Sequence, residues 1–455
     1  MKRELALFQK LTTEFLTKEI DEPAIKPLQA ESLWKDINIS LQSEGVSEEE
    51  FEKILRDVVL NTPRTATNKF FNQLFGGRNP KATLGDLLAV ILNNSMYTYK
   101  VAGPQVGIEI EIINRVCEII NYPKQSGGTI TSGGSVSNLI AMLMARDKAS
   151  PEVRYKSFQE KLIGYTSEAS HYSIKKNAAI CGVGTEQIRK IAIDEKGLLI
   201  PEALEEAIQK DIANNQKPFF INATAGTTVL GAFDPVEEII TIAKKYNIWV
   251  HVDGAYCGSV IFSDKYKHLI NGLEKADSFN FNAHKMIGTP LTCSVLVTRD
   301  KKYLYDSLSM EADYLYQTDG DDFNLGKTSL QCGRRNNALK FWTLWKSVGT
   351  KGLETIVDNQ FMLADLARDY VKNHSDYTFY SFDESISVCF NYKNIPADKL
   401  CTLLYEHAEL VIGFGTFKED TFIRLVTVNP ANSKEEIIEL FKTIERFVEN
   451  NPSLF

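Results

Sequence analysis

The sequence predicts an α/β layered protein, and three observations predict it. Short apolar runs alternate with helical patterns from about residue 81 to 345, one stretch reads as a complete β-α-β crossover, and amphipathic pieces flank this region on both sides. In the crossover, Pro218 to Ala223 reads as a buried strand and Ile248 to Val252 as the next one. Between them Asp234-Pro-Val-Glu237 is expected to cap a helix running through Tyr246. Ligands of such sheets gather at the carboxyl ends of the strands, which here carry Thr224 to Thr228 and Asp253.

The flanks divide the chain into three segments. Residues 1–80 read as helical pieces, with Phe8, Leu11 and Phe15 at helical spacing and Ser47-Glu-Glu-Glu opening a run toward Val58. Their apolar stripes need a partner surface, so this segment is expected to be an arm packing on something else, a second subunit included. Residues 81–345 form the large domain. Residues 346–455 form a smaller α+β unit closing with a helix that begins at the capping box Ser433-Lys-Glu-Glu436 and sets Ile437, Ile438, Phe441, Ile444, Phe447 and Val448 on one face. One acidic stretch bounded by glycines, Thr318-Asp-Gly-Asp-Asp-Phe-Asn-Leu-Gly326, reads as a functional loop or a plain surface turn.

Composition excludes several classes of function. A chain of 455 residues, 44% hydrophobic, buries a large core, and a net charge of −8 has the wrong sign for a polyanion partner such as nucleic acid. The seven cysteines are scattered and never form a C-x-x-C pair, against a disulfide framework or structural zinc; no metal site is expected. Apolar runs such as Leu87 to Leu92 fall short of the roughly 18 residues a spanning helix needs, and Lys10, Glu14 and Lys18 interrupt any leader-like core, so a cytoplasmic location is expected.

The chemistry rests on a constellation rather than on any one motif. Ser132-Gly-Gly-Ser135-Val-Ser137-Asn138 precedes a helical run and offers small residues, hydroxyls and N–H groups to an anion. Val250-His-Val-Asp253 sets a carboxylate just past a buried strand, where it could hold a cofactor's ring nitrogen protonated, although a turn aspartate would look the same. Asn280-Phe-Asn-Ala-His284-Lys285 ends another strand with a lysine, which in isolation would be an ordinary solvated one. Together these suit pyridoxal phosphate, whose phosphate, pyridine nitrogen and aldehyde need those three partners.

At this point the sequence resembles the pyridoxal-phosphate-dependent group II amino acid decarboxylases, from about Phe70 to Pro430. The resemblance is carried, in order, by Phe71-Asn-Gln-Leu74, Tyr97-Thr-Tyr99, Gly133-Gly-Ser-Val-Ser-Asn138, Gly226-Thr-Thr-Val-Leu-Gly-Ala-Phe-Asp-Pro235, His251-Val-Asp253, Ala276 to Lys285 and Gln331-Cys-Gly-Arg-Arg335. It implies the fold type I transferase architecture, a large domain with a mixed seven-stranded sheet flanked by helices. It also implies a homodimer with sites at the interface. By the same resemblance Lys285 would carry the cofactor covalently, Asp253 would pair with the pyridine nitrogen, His171 would stack on one ring face and Ala255 on the other. His284 would lie near the phosphate, and Ser135, Val136, Ser137, Thr228 and Asn282 match phosphate-side or ring-side positions. His251, His268, His374 and His407 keep the plain reading of core or surface histidines.

The resemblance also narrows the substrate. Gln73 and Arg424 match substrate-side positions of glutamate and cysteine sulfinate decarboxylases, and an arginine fork suits a carboxylate or sulfinate. Phe75 resembles the cysteine sulfinate enzymes and favours short side chains, so aspartate or cysteine sulfinate is expected ahead of glutamate. The chain departs from the pattern at Ala283, Gly254, Tyr256 and Lys100. Its segment from Asp319 to Lys327 is short and lacks the usual tyrosine, with Asp322 or Phe323 falling nearest. Phe323 and the Ala276 to Asn282 run motivate an alternative, an aromatic amino acid decarboxylase or decarboxylating aldehyde synthase. A catalytically silent relative acting as an interaction protein is the third reading, and the intact Lys285, Asp253 and His171 argue against it.

Overall fold

The computed structural model describes every residue except 28, 159 and 311–320. The chain divides into two compact units, one made of residues 78–362 and 381–387, the other of residues 1–77, 363–380 and 388–455.

The larger unit is built on seven strands: β1 (Gly127–Thr131), β2 (Leu162–Ser167), β3 (Ile188–Ile191), β4 (Lys217–Thr224), β5 (Trp249–Gly254), β6 (Ser278–Asn282) and β7 (Ser294–Thr298). Their order is β1-β7-β6-β5-β4-β2-β3. The pairs from β3 through β6 are parallel, whereas β7 runs antiparallel to both β6 and β1. The reversal follows from chain length, since the link between β6 and β7 is too short for the helical crossover that a parallel neighbour requires. Every residue of β5 and β6 is buried, as expected of central strands covered on both faces.

The β4 to β5 crossover forms as the pattern predicts, with its helix at Val236–Tyr246 and the left-handed Asn247 closing it. Its start differs from expectation. Asp234 does not cap this helix, because both its oxygens are taken elsewhere: they accept the N–H groups of Leu199 at 2.8 Å and Thr224 at 2.7 Å. It ties the end of β4 to the loop that leads into the helix Pro201–Ala213 of the β3 to β4 crossover, a use of carboxylate oxygens that local sequence does not announce. Burial outweighs those bonds and pushes its carboxyl up to about 7.

The helix Gly134–Ala149 follows β1 directly and begins after Gly133, whose φ of 141° suits glycine. It lies along one face of the central strands, touching β4, β5, β6 and β7. Its start therefore sits near the carboxyl ends of β5 and β6.

The smaller unit contains β8 (Tyr377–Phe379), β9 (Ser387–Tyr392), β10 (Gly413–Phe417) and β11 (Asp420–Val426) in the order β10-β11-β9-β8. Residues 69–71 join it through a parallel bridge, with the Phe71 N–H donating to the Val411 carbonyl at 2.7 Å and Val411 returning a bond to Lys69 at 2.9 Å. The chain passes between the compact units after Gly77, Met362, Tyr380 and Ser387. The other two expected caps form. The Ser47 hydroxyl accepts from the Glu50 N–H, and Ser433 and Glu436 close the capping box of the helix Lys434–Asn450, which buries Ile437, Phe441, Ile444 and Val448. Among the described residues no helix is long and apolar enough to cross a membrane, and no cluster of His, Cys, Asp and Glu could hold a metal ion.

Candidate active site

The carboxyl ends of β4, β5 and β6 and the start of the Gly134–Ala149 helix enclose a cavity of about 300 Å³. Asp253, at the end of β5, is 4% exposed and turns its carboxylate toward the helix. There Oδ2 accepts from Asn138 Nδ2 at 2.7 Å, and Oδ1 accepts from the Ala255 N–H at 3.0 Å. The turn after β6 delivers Asn282, His284 and Lys285, all lining the cavity, and the Lys285 ammonium stands 6.0 Å from the centre of the Tyr256 ring. Thr228, Ala255, Ser135, Val136 and His171 complete the predicted residues found on its wall.

Burial sets the charge of the two site histidines. His284 is 7% exposed, with Nδ1 2.8 Å from the Cys293 carbonyl and 2.9 Å from its N–H, and burial lowers its pKa to about 4. His171 is half-buried and its pKa is also lowered, first by burial, with Lys285 adding to the effect and Asp253 opposing it. Its Nδ1 faces two donors, the Ser173 hydroxyl at 2.8 Å and the Ser173 N–H at 3.2 Å, and its ring packs on Tyr172 at 4.2 Å between centroids.

Other predicted residues lie elsewhere. The Ser137 hydroxyl points into the sheet, bonded to Thr131 at 2.8 Å and Ser294 at 2.9 Å, and is not among the lining groups. Asp322 accepts from Lys301 at 2.8 Å on an exposed turn, and Phe323 is exposed and edge-on to Tyr99. Thr318, Asp319 and Gly320 lie outside the described residues. Gln73, Phe75 and Arg424 belong to the smaller unit, where Arg424 Nη2 donates to the Asn72 carbonyl at 3.0 Å and Phe75 packs on Phe70.

Asn138, Tyr172 and Tyr256 also line the cavity; sequence reasoning named Asn138 only as the end of the anion-cradle block and Tyr256 only as a departure from the family pattern, and gave Tyr172 no role. Asn138 was within reach: it closes the Gly133-Gly-Ser-Val-Ser-Asn138 block one helical turn from Gly134 and so shares its face. No local signal marks Tyr172.

The walls fit pyridoxal phosphate. A Cβ on Gly134 would lie 2.8 Å from Ala255 Cβ and 3.2 Å from Asn282 Nδ2, so the helix start is a bare backbone cradle that a side chain would fill. Helix geometry leaves its first N–H groups without intrahelical acceptors, suited to a phosphate. A carboxylate for the ring nitrogen and an amine for the aldehyde stand on the same wall. Fold and cavity together define an α/β enzyme of the pyridoxal-phosphate class.

The chain belongs to the pyridoxal-dependent decarboxylase family, whose conserved domain matches residues 31–393. It is 31% identical to the acidic amino acid decarboxylase GADL1 of Xenopus tropicalis, over 97% of this chain and 91% of that one. It is 33% identical to the cysteine sulfinic acid decarboxylase of Mus musculus, over 94% and 93%. The crystal structure of mouse CSAD superposes with a TM-score of 0.93 at 32% identity, covering 97% of this chain and 98% of that one. The protein is thus a pyridoxal-phosphate-dependent carboxy-lyase acting on an amino acid, with the mixed seven-stranded sheet that the resemblance implied.

Proposed function

We propose that this enzyme removes the α-carboxyl group of an acidic L-amino acid, aspartate or cysteine sulfinate ahead of glutamate, releasing carbon dioxide and the amine. The observation that carries this reading is the agreement of two relatives, named for acidic amino acids and for cysteine sulfinic acid, each aligned over more than nine-tenths of this chain. Arg424 supports it as a half-buried guanidinium anchored to the Asn72 carbonyl next to Gln73, a planar fork of the kind that recognises a carboxylate or sulfinate. Phe75 would limit the side chain's length.

Pyridoxal phosphate, when bound, supplies the electron sink for the charge left on the α-carbon. The chain's own residues do the rest. Lys285 serves as the amine that carries the cofactor, Asp253 holds the ring nitrogen protonated, and His171 and Ala255 flank the ring. Ser135, Val136, Thr228, Asn282 and His284 hold the phosphate side, together with the N–H groups that open the Gly134–Ala149 helix. Ser137 drops out of this set, since its hydroxyl is bound to Thr131 and Ser294 and its N–H donates to the Gly133 carbonyl at 3.1 Å.

We further propose a cytoplasmic homodimer with sites at its interface and residues 1–80 as the arm that clasps the partner. The exposed Leu84, Leu87, Leu88, Ile91 and Leu92 of the helix Pro80–Leu92 support a second copy as the cover of this surface. A second reading, an aromatic decarboxylase or aldehyde synthase, draws on the exposed Phe323.

A substrate screen on cofactor-loaded protein decides between them, measuring carbon dioxide, amine, aldehyde and peroxide from aspartate, cysteine sulfinate, glutamate and aromatic amino acids. Turnover of acidic substrates alone is expected, with Arg424→Ala lowering kcat/KM by about 100-fold, the scale of a lost charge-assisted pair. Turnover confined to aromatic substrates would refute the Arg424 assignment.

A further inference from the structure

Behind Asp253 the cavity wall continues as a chain of buried hydrogen bonds that the roles above leave unused. Asn138 Oδ1 lies 3.0 Å from His251 Nε2, His251 Nδ1 lies 2.9 Å from Ser278 Oγ, and Ser278 Oγ accepts from Trp249 Nε1 at 2.9 Å. Asn138, His251, Ser278 and Trp249 are each no more than 1% exposed.

The carboxylate end, with a neutral His251, sets the direction of the bonds. An indole N–H only donates, so the Ser278 oxygen receives it; because a serine oxygen can accept twice, the direction of its bond to His251 is set from the carboxylate end, where a neutral His251 that donates from Nε2 has only an acceptor at Nδ1 for the Ser278 proton. An ionised carboxylate only accepts, so Asn138 turns its amide nitrogen to Asp253 and its carbonyl to His251, which must therefore donate from Nε2. All the hydrogens point toward Asp253. Asn138 Nδ2 also lies 3.1 Å from Ser173 Oγ as a donor, which leaves the Ser173 proton for His171 Nδ1 at 2.8 Å. One amide thus connects the carboxylate and the histidine that face the cavity.

We propose that Asn138 and His251 are positioning residues: the one-way chain from Trp249 keeps Asp253 an ionised acceptor aimed into the cavity and, through Ser173, fixes His171 with its proton on Nε2. This rests on the assignment of Asp253 to the ring nitrogen. The low pKa of His251, about 4 through burial, agrees with a neutral ring. A core has no need of such a chain for packing alone, since apolar groups of the same shape would fill the space without a desolvation penalty.

The test is cofactor affinity in full-length protein, measured by fluorescence for the unsubstituted chain, His251→Leu, His251→Gln and Asp253→Ala, with melting temperatures alongside. His251→Leu removes the donor to Asn138 and lets that amide rotate. His251→Gln keeps a donor toward Asn138 and an acceptor toward Ser278. The dissociation constant should rise about tenfold or more in His251→Leu, on the scale of an outer partner's loss, and stay within about threefold in His251→Gln. Unchanged affinity in His251→Leu, or equal losses in both variants, overturns the proposal. If Asp253→Ala binds as tightly as the unsubstituted chain, the ring-nitrogen assignment fails and the proposal with it, whereas a damaging Asp253→Ala beside a silent His251→Leu removes the proposal alone. A readout independent of substitution effects on folding is the ¹⁵N-histidine spectrum of the loaded protein: His251 and His171 should both be neutral and Nε2-protonated, and an Nδ1-protonated or charged His251 near neutral pH contradicts the chain's direction.

Discussion

The two faces of β5 and β6 are equally buried and chemically opposite. On one face Val250, Val252, Phe279 and Phe281 build an aromatic and aliphatic core, with Phe281 edge-on to Phe262 at 5.7 Å and to Phe341 at 6.1 Å. On the other, His251 and Asp253 stand in register with Ser278 and Asn280, beside the helix that carries Asn138. The difference teaches that burial in this sheet serves two purposes. One face holds the strands together by area and packing, and the other uses polar groups, each needing its partner, to hold a charge at the strand end.

The comparison can be broken from either side. Phe281→Ala should be the more damaging to the fold, costing about 3–5 kcal/mol through lost burial and the cavity left behind, read as a lower midpoint in chemical denaturation. A smaller effect isolates the polar face. The folded-state pKa of His251 is depressed to about 4 from an ordinary 6.5, so the stability it contributes is full above about pH 6.5 and is lost as pH falls toward 4. Between about pH 7 and pH 5 the unsubstituted protein should therefore lose roughly 2 kcal/mol more than His251→Gln does. Equal losses in the two proteins would mean that His251 takes up its proton in the folded state as easily as in the unfolded one.

A third effect concerns the seam between the faces. A Cβ on Gly254 would lie 2.6 Å from the Phe279 ring and 2.7 Å from the Asn280 carbonyl, so β5 and β6 approach too closely there for any side chain. Gly254→Ala should cost about 1–3 kcal/mol by overpacking and lower the melting temperature, and an unchanged midpoint would show that the strands yield freely.

Much of this was legible in the sequence, and what was not has a common cause. The crossover strands and helix fall where apolar periodicity puts them, because it is a local signal. Asp253 and Lys285 were legible as strand-end groups for the same reason. Asp234 looked like a cap because Asp-Pro-Val-Glu is a local cap pattern, yet its partners are Leu199 and Thr224, which only the folded sheet brings to it. His251 reads as a plain core or surface histidine and is buried, and its bond to Asn138 spans 113 residues, which no local pattern encodes. A signal was present all the same. Ser278-Phe-Asn-Phe-Asn282 alternates polar and aromatic residues, and in a strand buried on both faces that alternation means a polar interior rather than a wet surface.

The assignment of Lys285 as the residue that carries the cofactor is the central claim, and the most direct test is borohydride reduction of the loaded protein followed by peptide mass mapping. The pyridoxyl mass should appear on the peptide containing Lys285 and vanish in Lys285→Ala, with decarboxylation falling on the order of 10⁴-fold. A label on another lysine, or full turnover without Lys285, would contradict the account.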